Sequence, residues 1–428
     1  MNRLRFLQAL SPPESGDSEE KRDFLKLWAG QSIWMLGMQV SLLAIPLTAV
    51  ITLDASAAQM GLLAAVQQAP WLVVGLFAGA WVDRLRRRPV MIVTALGSAL
   101  LLSSIPAAAL LGFLSLWQLY VVGFLTGTLL VFFYVAYQSY LPSLVPRGWL
   151  PAANSRLEAS RSLAQIAGPS AGGVLVQLLT APIAVAFQAV SMVVSAALFG
   201  AIRREEPPPE STPERRKIWK DVMEGMNFVV RAPIQRTIAG SGIVITLFWA
   251  IQDAIFVLYV TREVSISPAL LGIILGAGAI GGLLGAALAA KAARRYGEGR
   301  TLLWAYILDS ISYLLIPLAG VLPGPEIVAA AVLLFSKFIF GVGAITYGVN
   351  GISLIQAITP SRLLGRVHAT RRFFIQGSMP VGALLGGFLG EAVGLAPTIL
   401  VAALGSFMGV LWVAFSPLKD ARVEDQDR

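Results

Sequence analysis

Three ionisable residues stand alone inside long apolar stretches: Asp253 within Thr237–Val260, Asp309 within Thr301–Leu322 and Lys337 within Ile327–Ile358. A charge held away from water is expensive, so such groups are kept where they bind or relay something. A carboxyl there can exchange a proton or meet a cationic solute, and a nearby ammonium tunes it. Asp253 and Lys337 are therefore candidates for coupling, with a structural ion pair as the alternative. Asp309 reads as a packing or pairing residue. Glu158 and Arg161 are one helical turn apart and suited to pair with each other. Enzymatic chemistry has little to work with. The chain has no cysteine, so disulfides, thiolate metal sites and a cysteine nucleophile are excluded. Its single histidine, His368, gives no basis for a histidine metal cluster or a Ser-His-Asp triad. No Walker motif occurs, and the glycines Gly276, Gly278, Gly281, Gly282 and Gly285 lack a phosphate-loop lysine and read as close helix packing. No cofactor and no metal are expected.

The elements that position these residues follow from the apolar runs. The 428 residues are 56% hydrophobic and 13% charged, which fits neither a soluble domain nor a disordered chain. Leu27–Leu53 and Ala55–Val82 are uncharged, as is Pro89–Pro146, long enough for two spans with a break near Gly112–Trp117. Ser162–Ile202 holds two more, broken near Leu179–Pro182. Then come Thr237–Val260, Pro268–Ala290, Thr301–Leu322, Ile327–Ile358, Phe373–Gly390 and Pro397–Pro417. The expectation is an all-α polytopic membrane protein of twelve spans, since the runs are continuously apolar rather than alternating as in a barrel.

Lysine and arginine set the orientation. With the N-terminus inside, 31 of the 33 cations fall on the inner side; Arg262 lies outside and Lys337 within a span. The net charge of +9 thus needs no nucleic acid. Residues 1–26 form a cytoplasmic tail without the apolar core of a cleaved signal. Residues 27–202 form one six-helix bundle and 237–418 a second, with 419–428 as an inner tail. Between the bundles, 203–236 begins as a proline-rich flexible linker and continues as an amphipathic helix, with Ile218, Val222, Met226 and Val229 on one face.

The halves share traces of a repeat. At an offset of 210 residues, Arg156, Ala159, Arg161 and Gly172 fall on Arg366, Ala369, Arg371 and Gly382. The fifth span thus matches the eleventh, as a duplicated six-helix unit requires. Arg161 and its repeat partner Arg371, with Glu158, become candidates for an inner gate.

Three motifs carry a family resemblance. Gly79–Arg88 reads G-A-W-V-D-R-L-R-R-R, which resembles the loop between spans 2 and 3 of the major facilitator superfamily, with Arg86 where a glycine is usual. Its matching residues are Gly79, Asp83, Arg84, Arg87 and Arg88. Gly79 would allow close approach of a helix, and the arginines would anchor at phosphates. Gly168, Pro169, Gly172 and Gly173 resemble the G-P-x-x-G-G motif of that superfamily's antiporters. Phe132–Pro146 and Ala152–Ser155 look like the macrolide-efflux and enterobactin-exporter branch.

The resemblance implies two six-helix bundles with spans 1, 4, 7 and 10 around a cavity, which would let Asp253 and Lys337 face water. Gln39, Tyr134 and Gln138 are then cavity candidates, because aromatic walls with a few hydrogen-bonding groups suit variably shaped apolar solutes. The function it implies is export of amphipathic small molecules across the plasma membrane by proton exchange, in a monomer with both termini cytoplasmic. The partners are the solute, protons and the lipid bilayer. Alternatives on the same fold are a siderophore or metabolite exporter or a lysolipid flippase; a non-transporting receptor or scaffold would signal through 203–236.

Overall fold

The computed structural model describes residues 18–82, 84–204, 206 and 218–421. Fourteen helices dominate them, as expected where apolar stretches must satisfy every backbone group internally. In chain order they are α1 (Ser18–Leu47), α2 (Ala57–Val73), α3 (Gly75–Val82), α4 (Arg87–Leu110), α5 (Leu116–Leu144), α6 (Leu150–Leu179) and α7 (Ala181–Gly200). The amphipathic α8 (Ile218–Arg231) follows, then α9 (Pro233–Arg262), α10 (Pro268–Tyr296), α11 (Glu298–Val321), α12 (Glu326–Ile358), α13 (Ser361–Val393) and α14 (Leu395–Ala414). Eleven helices are long and apolar enough to cross a bilayer.

The expected second span is in two pieces. α2 and α3 are separated only by Val74, and the Val74 N–H still donates to Pro70 O at 2.9 Å. The first span also departs from a plain helix: after Pro46 it continues as a π-helical turn, Thr48–Thr52, where the Thr48 hydroxyl donates to Ala44 O at 2.7 Å. The hydroxyl is thereby satisfied inside the apolar span. α1 begins at Ser18, inside the expected tail, with Glu19 and Glu20 in its first turn where the helix dipole favours acids. The break expected near Leu179–Pro182 falls at Thr180, whose φ of 127° ends α6.

The chain divides into two compact units: Met1–Thr48 with Pro70–Pro213, and Ala49–Ala69 with Glu214–Arg428. Residues 49–69, expected in the first bundle, belong to the second. The reason is a close glycine contact: a β-carbon on Gly61 of α2 would lie 2.6 Å from Gly387 Cα of α13. The start of the segment is held as well, by Asp54 to Arg262 at 2.5 Å and by the Ala58 N–H donating to Glu391 at 3.2 Å.

Each unit repeats one packing plan. In the first, α1 packs on α6 and α7; in the second, α9 packs on α13 and α14. The repeat-related glycines do the same work in both. A β-carbon on Gly172 would sit 3.1 Å from Val40 Cα of α1, and one on Gly382 would sit 2.5 Å from Leu247 O of α9. α8 lies against α13 and α9, with Val229 buried in their core and Glu224 paired with Arg366.

Candidate functional site

The first unit contains a cavity of about 900 Å³ walled by α1, α5 and α6, with Trp71 at the end of α2. Helical spacing brings its polar groups to one side of each wall. Gln31, Met35, Met38 and Gln39 share a face of α1; Tyr134, Tyr137 and Gln138 share one of α5; Asn154, Glu158, Arg161 and Gln165 share one of α6. All three expected cavity residues, Gln39, Tyr134 and Gln138, line it.

The aromatic walls are stiffened by neighbours. Trp71 meets Tyr134 edge to face at 5.8 Å between centroids, and Trp34 stacks on Phe133 at 4.7 Å. Such contacts fix large apolar surfaces at little entropic cost. At the α6 wall, Glu158 and Arg161 stand 3.8 Å apart and are both exposed, with 67% and 51% of their side chains accessible. The cavity thus offers apolar and aromatic area, several amides and phenols, and one carboxylate whose ion pair is loose. It can hold an amphipathic solute, and it holds no constellation for covalent chemistry.

The span-5 motif forms the seam behind this cavity. Gly168 and Pro169 are buried in α6, as are Gly172 and Gly173. A β-carbon on Gly168 would overlap the β-carbon of Gln39. The motif's glycines therefore seat α6 directly against the helix that carries a cavity amide.

Asp253 and Lys337 lie in the second unit, on α9 and α12, and do not line this cavity. Asp253 is exposed. The Lys337 ammonium sits over the Phe256 ring, 3.8 Å from its centroid, with Phe340 at 6.0 Å. The two charges act on each other, but no ion pair joins them among the described residues. A cation–π contact takes the place of the expected partner.

The loop motif is only partly as expected. Asp83 lies outside the described residues. A β-carbon on Gly79 would meet nothing within 4 Å, so the close helix approach expected there is absent. Arg84 is exposed. Arg88 instead binds the end of α7, donating through Nε to Phe199 O at 2.9 Å and through Nη2 to Gly200 O. Arg87 pairs with Glu206 at 3.4 Å, and the same carboxylate accepts the Arg87 and Arg88 N–H groups at 2.9 and 3.2 Å. A cation on the carbonyl end of one helix and an anion on the amide end of another both follow the helix dipole.

Of the gate candidates, Glu158 and Arg161 are together in the first unit. Arg371 lies on α13 in the second, with its Nε buried and without a hydrogen-bond partner. His368 occupies there the repeat position of Glu158. The residues missed from sequence are Trp34, Trp71 and Gln165. Only Gln165 carried a signal, four residues after Arg161 on the same helix face.

A family model described as transmembrane secretion effector, of the major facilitator type, matches residues 20–428. The chain is 31% identical over 376 residues to the multidrug efflux pump Tap of Mycolicibacterium fortuitum, covering 86% of this chain and 89% of that one. Among solved structures it is similar to a variant of the nucleoside transporter NupG, with a TM-score of 0.76, 10% identity and coverage of 92% and 99%. A bacterial homologue of the iron transporter ferroportin in its inward-facing state gives a TM-score of 0.73 at 14% identity, with coverage of 92% and 98%. At such identities these two likenesses concern the fold.

Proposed function

Since the chain belongs to the transmembrane secretion effector family of major facilitator transporters, we propose that it exports amphipathic, drug-like small molecules across the plasma membrane by exchange for protons. It is an integral membrane protein and a transporter, not an enzyme. The observation that carries the reading is the cavity of about 900 Å³, with aromatic walls, amides and the exposed Glu158 carboxylate. A solute with an apolar body and a cationic or hydrogen-bonding group matches that lining. The Tap pumps, called multidrug efflux pumps, support the direction of transport. For the proton, Asp253 is the coupling residue: it is exposed, ionisable, inside an apolar helix, and under the influence of Lys337. Glu158 and Arg161 are gate residues of the first unit and Arg371 is one of the second, and the chain acts as a monomer with both termini cytoplasmic.

The test is efflux of a fluorescent cation and a macrolide panel from energised cells, for wild type and Asp253→Asn, with and without an uncoupler. Uncoupler-sensitive efflux that the substitution abolishes supports the reading. Efflux indifferent to both removes proton exchange from it, and movement of lysolipid alone favours a flippase.

A further inference from the structure

We propose that Asp309 is a second proton-binding carboxyl of the transport cycle. The inference rests on the proton-exchange reading above. Asp309 sits on α11, a helix whose sequence gives it no other acid between Glu298 and Val321. It is only 5% exposed, and its Oδ1 has no hydrogen-bond partner.

Two nearby hydroxyls are already committed. Ser312 donates its hydroxyl to Asp309 O at 2.6 Å, and Ser336 of α12 donates to Ser312 O at 2.7 Å. Each hydroxyl has one proton, so neither can also donate to Oδ1. The facing backbone supplies nothing either. α12 presents Gly343, where a β-carbon would overlap Asp309 Oδ1 and lie 2.8 Å from Ala305 O. Glycine there lets the chain close over Oδ1 of the carboxyl.

No cation compensates the site. On α12 the near candidate is Lys337, whose ammonium is engaged over Phe256. α14 carries no charged residue, and the cations of α10 are at its inner end, at Lys291, Arg294 and Arg295. On α11 itself, Arg300 is in the first turn and lies 4.0 Å from Asp420. An ionised Asp309 would be an uncompensated buried charge. The carboxyl therefore holds a proton in this state and can release it only when the packing around it changes.

Tyr313 lies one turn beyond Asp309 and is 2% exposed, with its ring 5.9 Å from that of Phe340, which borders the Lys337 ammonium. The step is a plain proton exchange: Asp309 gives up H⁺ to water when the packing around it opens and takes one back before it closes, with no redox partner involved.

The experiment uses the full chain in proteoliposomes, with two readouts. The first is modification by a lipid-soluble carbodiimide, which attacks protonated carboxyls, with the site read by peptide mass spectrometry. Labelling at Asp309 near neutral pH is expected; none in the wild type overturns the proposal. The second is gradient-driven efflux of a fluorescent cation across about pH 6 to 9, in Asp309→Asn, Asp309→Glu and Gly343→Ala. Asp309→Asn, which keeps the shape, is expected to lower gradient-driven efflux about tenfold or more while substrate exchange without a gradient persists. Asp309→Glu is expected to recover part of it, and Gly343→Ala to shift the pH profile with the acid still present. A wild-type profile in Asp309→Asn overturns the proposal alone, whereas uncoupler-insensitive efflux in the wild type overturns the proton-exchange reading beneath it.

Discussion

Gly168 of α6 lies so close to Gln39 of α1 that a β-carbon on the glycine would sit 2.4 Å from the β-carbon of Gln39. The motif glycine and the cavity amide are therefore one structural feature. Gly168→Val is expected to push α1 aside at a cost of roughly 1–3 kcal/mol and to lower drug efflux severalfold. Gly168→Ala should do the same more weakly. Thermal denaturation in detergent and dye efflux check the two effects, and unchanged values for Gly168→Val would disconnect the motif from the cavity.

Glu158 supplies the carboxylate of the cavity, and its pairing with Arg161 at 3.8 Å is loose and exposed. Glu158→Gln is expected to reduce efflux of a cationic dye severalfold while an uncharged dye of similar size is moved as before. Equal loss for both dyes would assign Glu158 to the gate rather than to solute selection.

Arg88 holds two carbonyls at the end of α7. Arg88→Ala leaves both without their charged donor, and a loss of about 1–3 kcal/mol is expected. Arg88→Lys should recover only part, because a point charge replaces a planar fork. Melting temperatures of the purified variants in one detergent rank the three proteins. A wild-type value for Arg88→Ala would return this arginine to lipid anchoring.

At the start of α2, Arg262 pairs with Asp54 at 2.5 Å, beside the Glu391 contact to the Ala58 N–H. The chain has no cysteine, so a single Ser56→Cys reporter is free of background. Its maleimide labelling is expected to quicken severalfold when Arg262→Ala is added. An unchanged rate would mean that the glycine contact at Gly61 holds the segment unaided.

Much of this arrangement is readable in the residues themselves, and what is hidden has definite causes. Gln39, Tyr134 and Gln138 stand out because polar groups are scarce in apolar runs, and all three line the cavity. Trp34 and Trp71 do not stand out, because an aromatic residue in a continuously apolar helix has no visible phase. Trp34 is 5% exposed and Trp117 75%, yet both are tryptophans in spans. The break at Val74 is equally silent. Pro70 precedes it, but Pro106, Pro142, Pro169, Pro317 and Pro380 all sit inside helices that continue. Gly79 is the reverse case, a motif glycine with open space where a contact was expected. Of the motif's arginines, Arg88 binds the carbonyl end of α7 instead.

The transfer of residues 49–69 to the second unit bears on where this polypeptide can be cut. The duplicated sequence invites division at the linker, into two products of six spans each. The compact bodies do not respect that line. A product ending before 214 would keep α2 but lose Gly387, the surface against which Gly61 is fitted. The complementary product would present Ala383 and Gly387 bare and leave Glu391 without the Ala58 N–H. The sequence repeat and the compact unit are thus different partitions of one chain.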